Sequence, residues 1–144
     1  MASATRTIVI DRPPAEVFAF LADPANDQRW RPHVKEISAR GQAGLGRRVH
    51  QVVQGPGGRG IAADLEVTAY EPPSRYAFQV VTGPARPRGE FLLTPAGNGT
   101  QVRFSLSAEL RGLKRFLLGR PVQRSMDGEM AALDRAKAVI EGQA

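Results

Sequence analysis

The chain has 144 residues, 42% hydrophobic and 24% charged, with a formal charge of +6 and no cysteine. That length suits one domain over residues 1–144 with a real core. The lack of cysteine excludes disulfides and thiolate chemistry, and no apolar run is long enough to span a bilayer. The basic side chains are seventeen Arg against three Lys. Such an excess is either a matter of composition or the mark of an anionic partner. The opening Met1-Ala-Ser-Ala-Thr-Arg-Thr7 has no apolar signal core, which predicts a cytoplasmic protein.

In chain order, Thr5–Asp11 is β-branched and reads as a strand. Pro13-Pro14 opens a short helix, Ala15–Leu21, with Val17, Phe18 and Leu21 on one side. Asp23 suits a cap and Pro24 a first helical position, so a second short helix runs to about Arg29. From Val34 to Glu109 the chain reads as a meander of six antiparallel strands: Val34–Arg40, Arg47–Gln54, Ile61–Tyr70, Arg75–Thr82, Gly89–Thr94 and Thr100–Glu109. Glycine- and proline-rich turns separate them. Several alternate apolar-in and polar-out, as in Ala63, Leu65, Val67 against Asp64, Glu66, Thr68.

The last stretch organises the rest. A helical turn over Leu113–Leu118, a break at Gly119-Arg120 and a long helix from Pro121 are predicted, since proline suits only a first turn. Val122, Met126, Met130, Leu133 and Ile140 fall on one face, with Arg124, Glu129, Arg135 and Glu141 assigned to the other. A one-sided sheet and one amphipathic helix define an α+β domain. A sheet of this length curls, and small inward residues such as Ala63, Val67, Val80 and Val102 leave a cavity under the helix.

Several local patterns occur in a familiar order: Ile8-Val-Ile-Asp-Arg-Pro-Pro-Ala-Glu-Val-Phe18, Leu21-Ala-Asp23, Trp30, Gly44-Leu-Gly46, Tyr70-Glu-Pro-Pro-Ser-Arg75 and Gly97-Asn-Gly-Thr-Gln-Val102. With the terminal helix, they make the chain resemble the SRPBCC (START-like, birch-pollen-allergen-like) superfamily, in its polyketide cyclase/dehydratase-like branch. The resemblance covers essentially the whole chain. It implies a helix-grip fold: a curved antiparallel β-sheet with two short helices and a long C-terminal helix enclosing a cavity. It also implies a hydrophobic cavity for lipids, polyketides, quinones or similar molecules. Only some members are enzymes, so fold analogy does not fix a reaction.

Ligand-lining candidates are Trp30, Gln51, Ala63, Leu65, Val67, Tyr76, Phe78, Val80, Phe91, Val102, Phe104, Met126 and Met130. On the third strand, either Gln51 lies inward with Val49 and Val53, or His50 lies inward with Val52; the first is preferred, as an isolated amide on an apolar wall. No carboxylate sits at a spacing that orients His33 or His50, and no catalytic residue stands out. The chain lacks HExxH and any Cys cluster, so no metal and no cofactor are expected. Gly55-Pro-Gly-Gly-Arg-Gly60 lacks the Lys-Ser/Thr of a phosphate loop and reads as a hairpin turn.

Meander parity puts alternate connections at one end. Arg59, Arg86, Arg88 and Arg111 are therefore expected to form a basic cavity mouth. From Arg111 to Arg124 there are five basic residues and no acidic one. Nucleic acid is disfavoured, because no recognition motif or aromatic ladder accompanies the charge. The preferred function is binding, transport or sequestration of a hydrophobic or amphipathic small molecule, an anionic one included, by a monomer or homodimer. The alternatives are a polyketide cyclase or dehydratase, and an interaction module acting through the basic end.

Overall fold

The structure, a computed structural model, describes residues 2–142, with the side chain of Pro56 excepted. Eight strands are present: β1 Ala2–Ile10, β2 Val34–Ala39, β3 Arg48–Gln54, β4 Gly60–Ala62, β5 Leu65–Glu71, β6 Arg75–Val80, β7 Arg88–Ala96 and β8 Gly99–Ala108. Three helices accompany them: α1 Pro14–Leu21, α2 Asp27–Trp30 and α3 Leu113–Ile140. All strand pairs are antiparallel, in the order β1-β8-β7-β6-β5-β3-β2, with β4 added on β3. The sheet curves into a half-barrel around α3, the helix-grip arrangement.

β1 and β2 stand at opposite edges of this sheet. The segment between them must therefore cross the open side of the curl, and α1 and α2 are that crossing. Asp23 starts its second half by accepting a hydrogen bond from the Ala25 N–H at 3.0 Å. Edge strand β1 is tied to α3 by side chains. Arg6 donates to the Met130 carbonyl (2.9 Å) and to Asp134 (2.7 Å), and Lys137 donates to the Val9 carbonyl (2.8 Å). Glu141 accepts from the Asp11 N–H at 2.7 Å. The core lies between the concave sheet face and α3, around Ile10, Val17, Trp30, Val102, Phe104, Leu133 and Ala136, all at 2% exposure or less.

Two elements differ from the sequence reading. Ile61–Tyr70 is two strands, because the chain breaks at Ala63-Asp64. There the Asp64 N–H bonds the Thr82 hydroxyl (2.8 Å) and its carboxylate takes the Gln51 N–H (3.3 Å), instead of continuing the ladder. The terminal helix is one helix, without a break at Gly119-Arg120, and Pro121 lies inside it. The proline has no N–H to offer the Leu117 carbonyl. Leu117 is 58% exposed, so water can take that bond and the helix continues.

α3 buries Met126, Met130, Ala132, Leu133 and Ala136. Met130 packs away from the cavity described below, whereas Met126 borders it. Met130→Ala should therefore lower stability by about 2–4 kcal/mol, and Met126→Ala by less, because its site is already partly open. Urea denaturation of the two variants gives the ranking; the reverse order would show that α3 packs differently.

Candidate functional site

The space between sheet and helix is a cavity of about 570 Å³, within the range of ~300–1,000 Å³ typical of small-molecule sites. β3 contributes Val49, Gln51 and Val53 to its wall. β6 contributes Tyr76, Phe78 and Val80, and the central strands Phe91, Phe104 and Leu106. The helices close it with Leu21, Trp30, Leu118, Val122 and Met126. It opens where exposed residues join the wall: Ala62, the Pro84–Arg86 loop, and Arg124, Ser125 and Gly128 of α3. Gly89 shapes one side. A Cβ there would stand 2.3 Å from the Phe78 ring, so only glycine lets Phe78 lie across β7. Phe91 stacks on Phe104 with ring centroids 4.1 Å apart, and Tyr76 and Trp30 meet Phe91 at tilted or edge-on angles.

One end of the wall is polar. Arg31, at the end of α2, is buried and donates in three directions. Its Nε and Nη2 hold both oxygens of Glu129 on α3, at 2.9 and 2.8 Å. Its Nη1 reaches Asp27 of α2 at 2.9 Å and the Gln51 amide oxygen of β3 at 3.2 Å. His33 also contacts the Glu129 carboxylate through Nε2. The bidentate fork and the two further bonds leave Arg31 fully engaged. Two carboxylates sharing one cation cannot both be comfortable away from water. Burial pushes the Asp27 carboxyl up to about 6, against the pull of Arg31. Burial also works against Glu129, but the charge of Arg31 and the bonds from His33 and Arg31 outweigh it and hold that group down at about 2. Burial and the charge of Asp27 push the Tyr76 phenol well above its ordinary range. The cluster thus sets two carboxyls, Asp27 and Glu129, against one guanidinium.

A further polar atom has no protein partner. The Trp30 indole N–H is buried and meets no acceptor among the described residues, although Trp30 is 2% exposed and forms part of the wall. Leaving such a donor unmatched costs about 1–3 kcal/mol.

Of the residues singled out by sequence, Trp30, Gln51, Ala63, Leu65, Tyr76, Phe78, Val80, Phe91, Phe104 and Met126 line the cavity. Val67, Val102 and Met130 do not; they are buried in the closed part of the core. β3 presents Gln51 inward, and His50 is exposed and bonded to Asp64 at 2.7 Å. The expected ring of four arginines does not form. Arg86 borders the opening. Arg88 has the parity opposite to Gly89 and Phe91, which puts it on the outer sheet face, bonded to Ser107. Arg111 pairs with Glu109, and Arg59 is exposed in the β3–β4 turn, outside the wall. The helix instead supplies Arg124 to the opening.

The polar cluster was missed. Its charge suggests the outer face of α3 for Glu129, yet it follows Met126 by three and precedes Leu133 by four, the spacing of one shared face. The i, i+4 pair Asp27–Arg31 was a weaker signal. The carboxylate partners of both histidines come from 96 and 14 residues away, beyond the reach of local spacing.

Curved sheet, gripped helix and enclosed cavity define a START-like ligand-binding domain. Residues 1–141 match the family described as polyketide cyclase / dehydrase and lipid transport, and the chain belongs to that family, within the SRPBCC superfamily. Solved structures with the same fold include a protein of Thermus thermophilus (20% identity, 99% of both chains, TM-score 0.81). Ara h 8.0201 is also similar (13% identity, 97% of both chains, TM-score 0.75). So is the di-domain ARO/CYC StfQ from the steffimycin biosynthetic pathway (14% identity, 99% of this chain and 52% of that one, TM-score 0.81). No curated protein matches the chain in sequence.

The two carboxyls give stability opposite pH dependences. Glu129, lowered from 4.5 to about 2, contributes stability that is complete above about 4.5 and lost as pH falls toward 2. Asp27, raised from 3.8 to about 6, opposes folding when ionised. As pH falls from about 6 to about 4 the native state takes up a proton that the unfolded chain does not. The domain should gain on the order of 2–3 kcal/mol from this group. Asp27→Asn, neutral at every pH, should be more stable than wild type at neutral pH and lack most of that gain. Denaturation of both proteins between pH 7 and pH 4 measures it; parallel curves would rule out Asp27 as the source.

Proposed function

We propose that this domain binds a small, largely apolar molecule in the cavity, with a neutral acceptor oxygen of the ligand against the Trp30 N–H. The observation that carries this reading is a mainly apolar cavity whose wall holds a buried indole donor without an acceptor among the described residues. A ligand carbonyl or ether oxygen there would relieve the cost of that unmatched group. Membership of a family described by polyketide cyclase / dehydrase and lipid transport supports a ligand of this class. The inner cluster, with two carboxyls to one guanidinium, disfavours a carboxylate or phosphate at depth. An amphipathic acid would instead keep its head at the opening, near Arg86 and Arg124.

A cyclase or dehydratase is the second reading, favoured by one observation: Asp27 lies in the cavity wall and titrates near neutrality. An ionised Asp27 could take a proton from a carbon flanked by two carbonyls, with the cavity folding the chain. If Asp27→Asn keeps ligand binding but loses turnover of a poly-β-ketone thioester, the domain is an enzyme.

Binding is tested with the neutral apolar dye N-phenyl-1-naphthylamine, read from the rise of the dye's own fluorescence as it leaves water. We expect saturable binding at one dye per chain, abolished in Ala63→Trp, which fills the wall. Trp30→Phe, followed by competition against the dye, should lower affinity for a long-chain ketone about tenfold and leave the matching alkane nearly unchanged. A wild-type protein that takes up no dye would remove the basis of the reading. Equal losses for ketone and alkane would remove the role of the indole N–H.

A further inference from the structure

α3 begins before it has anything to pack on. None of its residues ahead of Met126 is buried, and every residue from Arg111 to Leu117 is exposed. Apolar side chains occupy this stretch all the same: Leu113 is 71% exposed, Phe116 85% and Leu117 58%. They are three of the five large hydrophobics exposed among the described residues. At 100° per residue, Leu113, Leu117 and Phe116 fall on the side of the helix away from Met126 and Leu133, interleaved with Arg120 and Arg124. Lys114 and Arg115 flank them, and Arg111 precedes them. No acidic side chain occurs between Glu109 and Asp127. Of these cations only Arg111 has a carboxylate partner among the described residues, Glu109, with both groups well exposed.

Neither stability nor solubility accounts for this combination. Cations at a helix N-terminus oppose its dipole, and an exposed phenylalanine with two leucines costs solvation. Apolar residues interleaved with basic ones on an unpacked helix face match the chemistry of an anionic bilayer surface, with phosphate outside and acyl chain beneath. No helix among the described residues is long and apolar enough to cross a membrane, so such contact lies on the surface. We propose that the first three turns of α3 dock the protein on a membrane containing anionic lipid. Phe116, Leu113 and Leu117 enter the interface, and Lys114, Arg120 and Arg124 meet the head groups. The same turns supply Leu118, Pro121, Val122 and Arg124 to the cavity wall. Leu118 and Val122 lie on the opposite side of the helix from the docking face, and Arg124 alone belongs to both.

The test is sedimentation with two kinds of vesicle, phosphatidylcholine alone and phosphatidylcholine with about 30 mol% phosphatidylglycerol, at low and high salt. Binding should be at least about tenfold stronger to the anionic vesicles and should fall as salt rises. Phe116→Ser with Leu117→Ser, and separately Arg120→Glu with Arg124→Glu, should each reduce it about tenfold or more. The Ser variant changes side chains outside the cavity wall, so uptake of N-phenyl-1-naphthylamine should be unchanged. That readout separates failure of docking from failure of the cavity reading or of folding. Equal binding to both vesicles, or no effect of the Ser variant, overturns the proposal. So does concentration-dependent self-association lost in the Ser variant, which would make the patch a subunit contact. Tighter binding to a single-stranded oligonucleotide than to vesicles would also overturn it.

Discussion

The arrangement depends on one buried guanidinium. Arg31 joins three elements that the chain places far apart: α2 through Asp27, β3 through Gln51, and α3 through Glu129. These are the elements that must be held at fixed distances for the cavity to exist. Apolar packing alone would favour collapse of α3 onto the sheet, because every square ångström of removed surface is favourable. A charge with directional partners resists that collapse. Moving α3 inward or outward would break a bidentate contact and leave a buried charge unpaired, at a cost of about 3–5 kcal/mol. The clamp thus sets the width of the gap, and the hydrophobic wall fills in around it.

The clamp also sets the electrostatics of the cavity. Its second carboxylate makes it over-provided with negative charge, and Asp27 absorbs the strain by holding its proton to about 6. The cavity's inner end therefore sets two carboxyls against one guanidinium, despite the chain's net charge of +6. The positive charge sits outside, on loops and on the first turns of α3. A sum over the sequence describes neither region; the sign that a ligand meets depends on how deep it goes.

The sequence carried the fold more fully than the site. Element order, strand alternation and the Met126-Met130-Leu133 face were legible because each is a local pattern with a fixed period. The helix break at Gly119-Arg120 was misread because the rule for proline assumes that the lost hydrogen bond has no other partner. On an exposed flank, water supplies one. The four-arginine mouth failed for a different reason. Parity places connections at one end, but whether a side chain there points to the cavity depends on strand register, and Arg88 lies one residue out of phase with Gly89. Glu129 was legible in principle: its spacing from Met126 and Leu133 outweighed its charge as a guide. Trp30 was found, but that its N–H would lack an acceptor could not be, since that is a property of everything around it.

α3 reconciles these features by doing different work along its length. Its last turns are fastened to the β1 edge and the following corner, through Lys137 and Glu141. Its middle carries the Glu129 anchor and the apolar residues that close the core. Its first turns only partly bury Leu118 and Val122 and leave Leu113, Phe116 and Leu117 in water. A helix fixed at one end and in the middle, and free at the other, localises any opening motion to the free end. That end borders the cavity opening, with Leu118 and Val122 in the same wall as the Pro84–Arg86 loop. Pro121 lies at the boundary, one hydrogen bond short in the ladder. The same missing bond that broke the sequence pattern therefore lies between the exposed first turns and the turn that carries Glu129. Access to the cavity and the integrity of its polar end are thereby assigned to different turns of one helix.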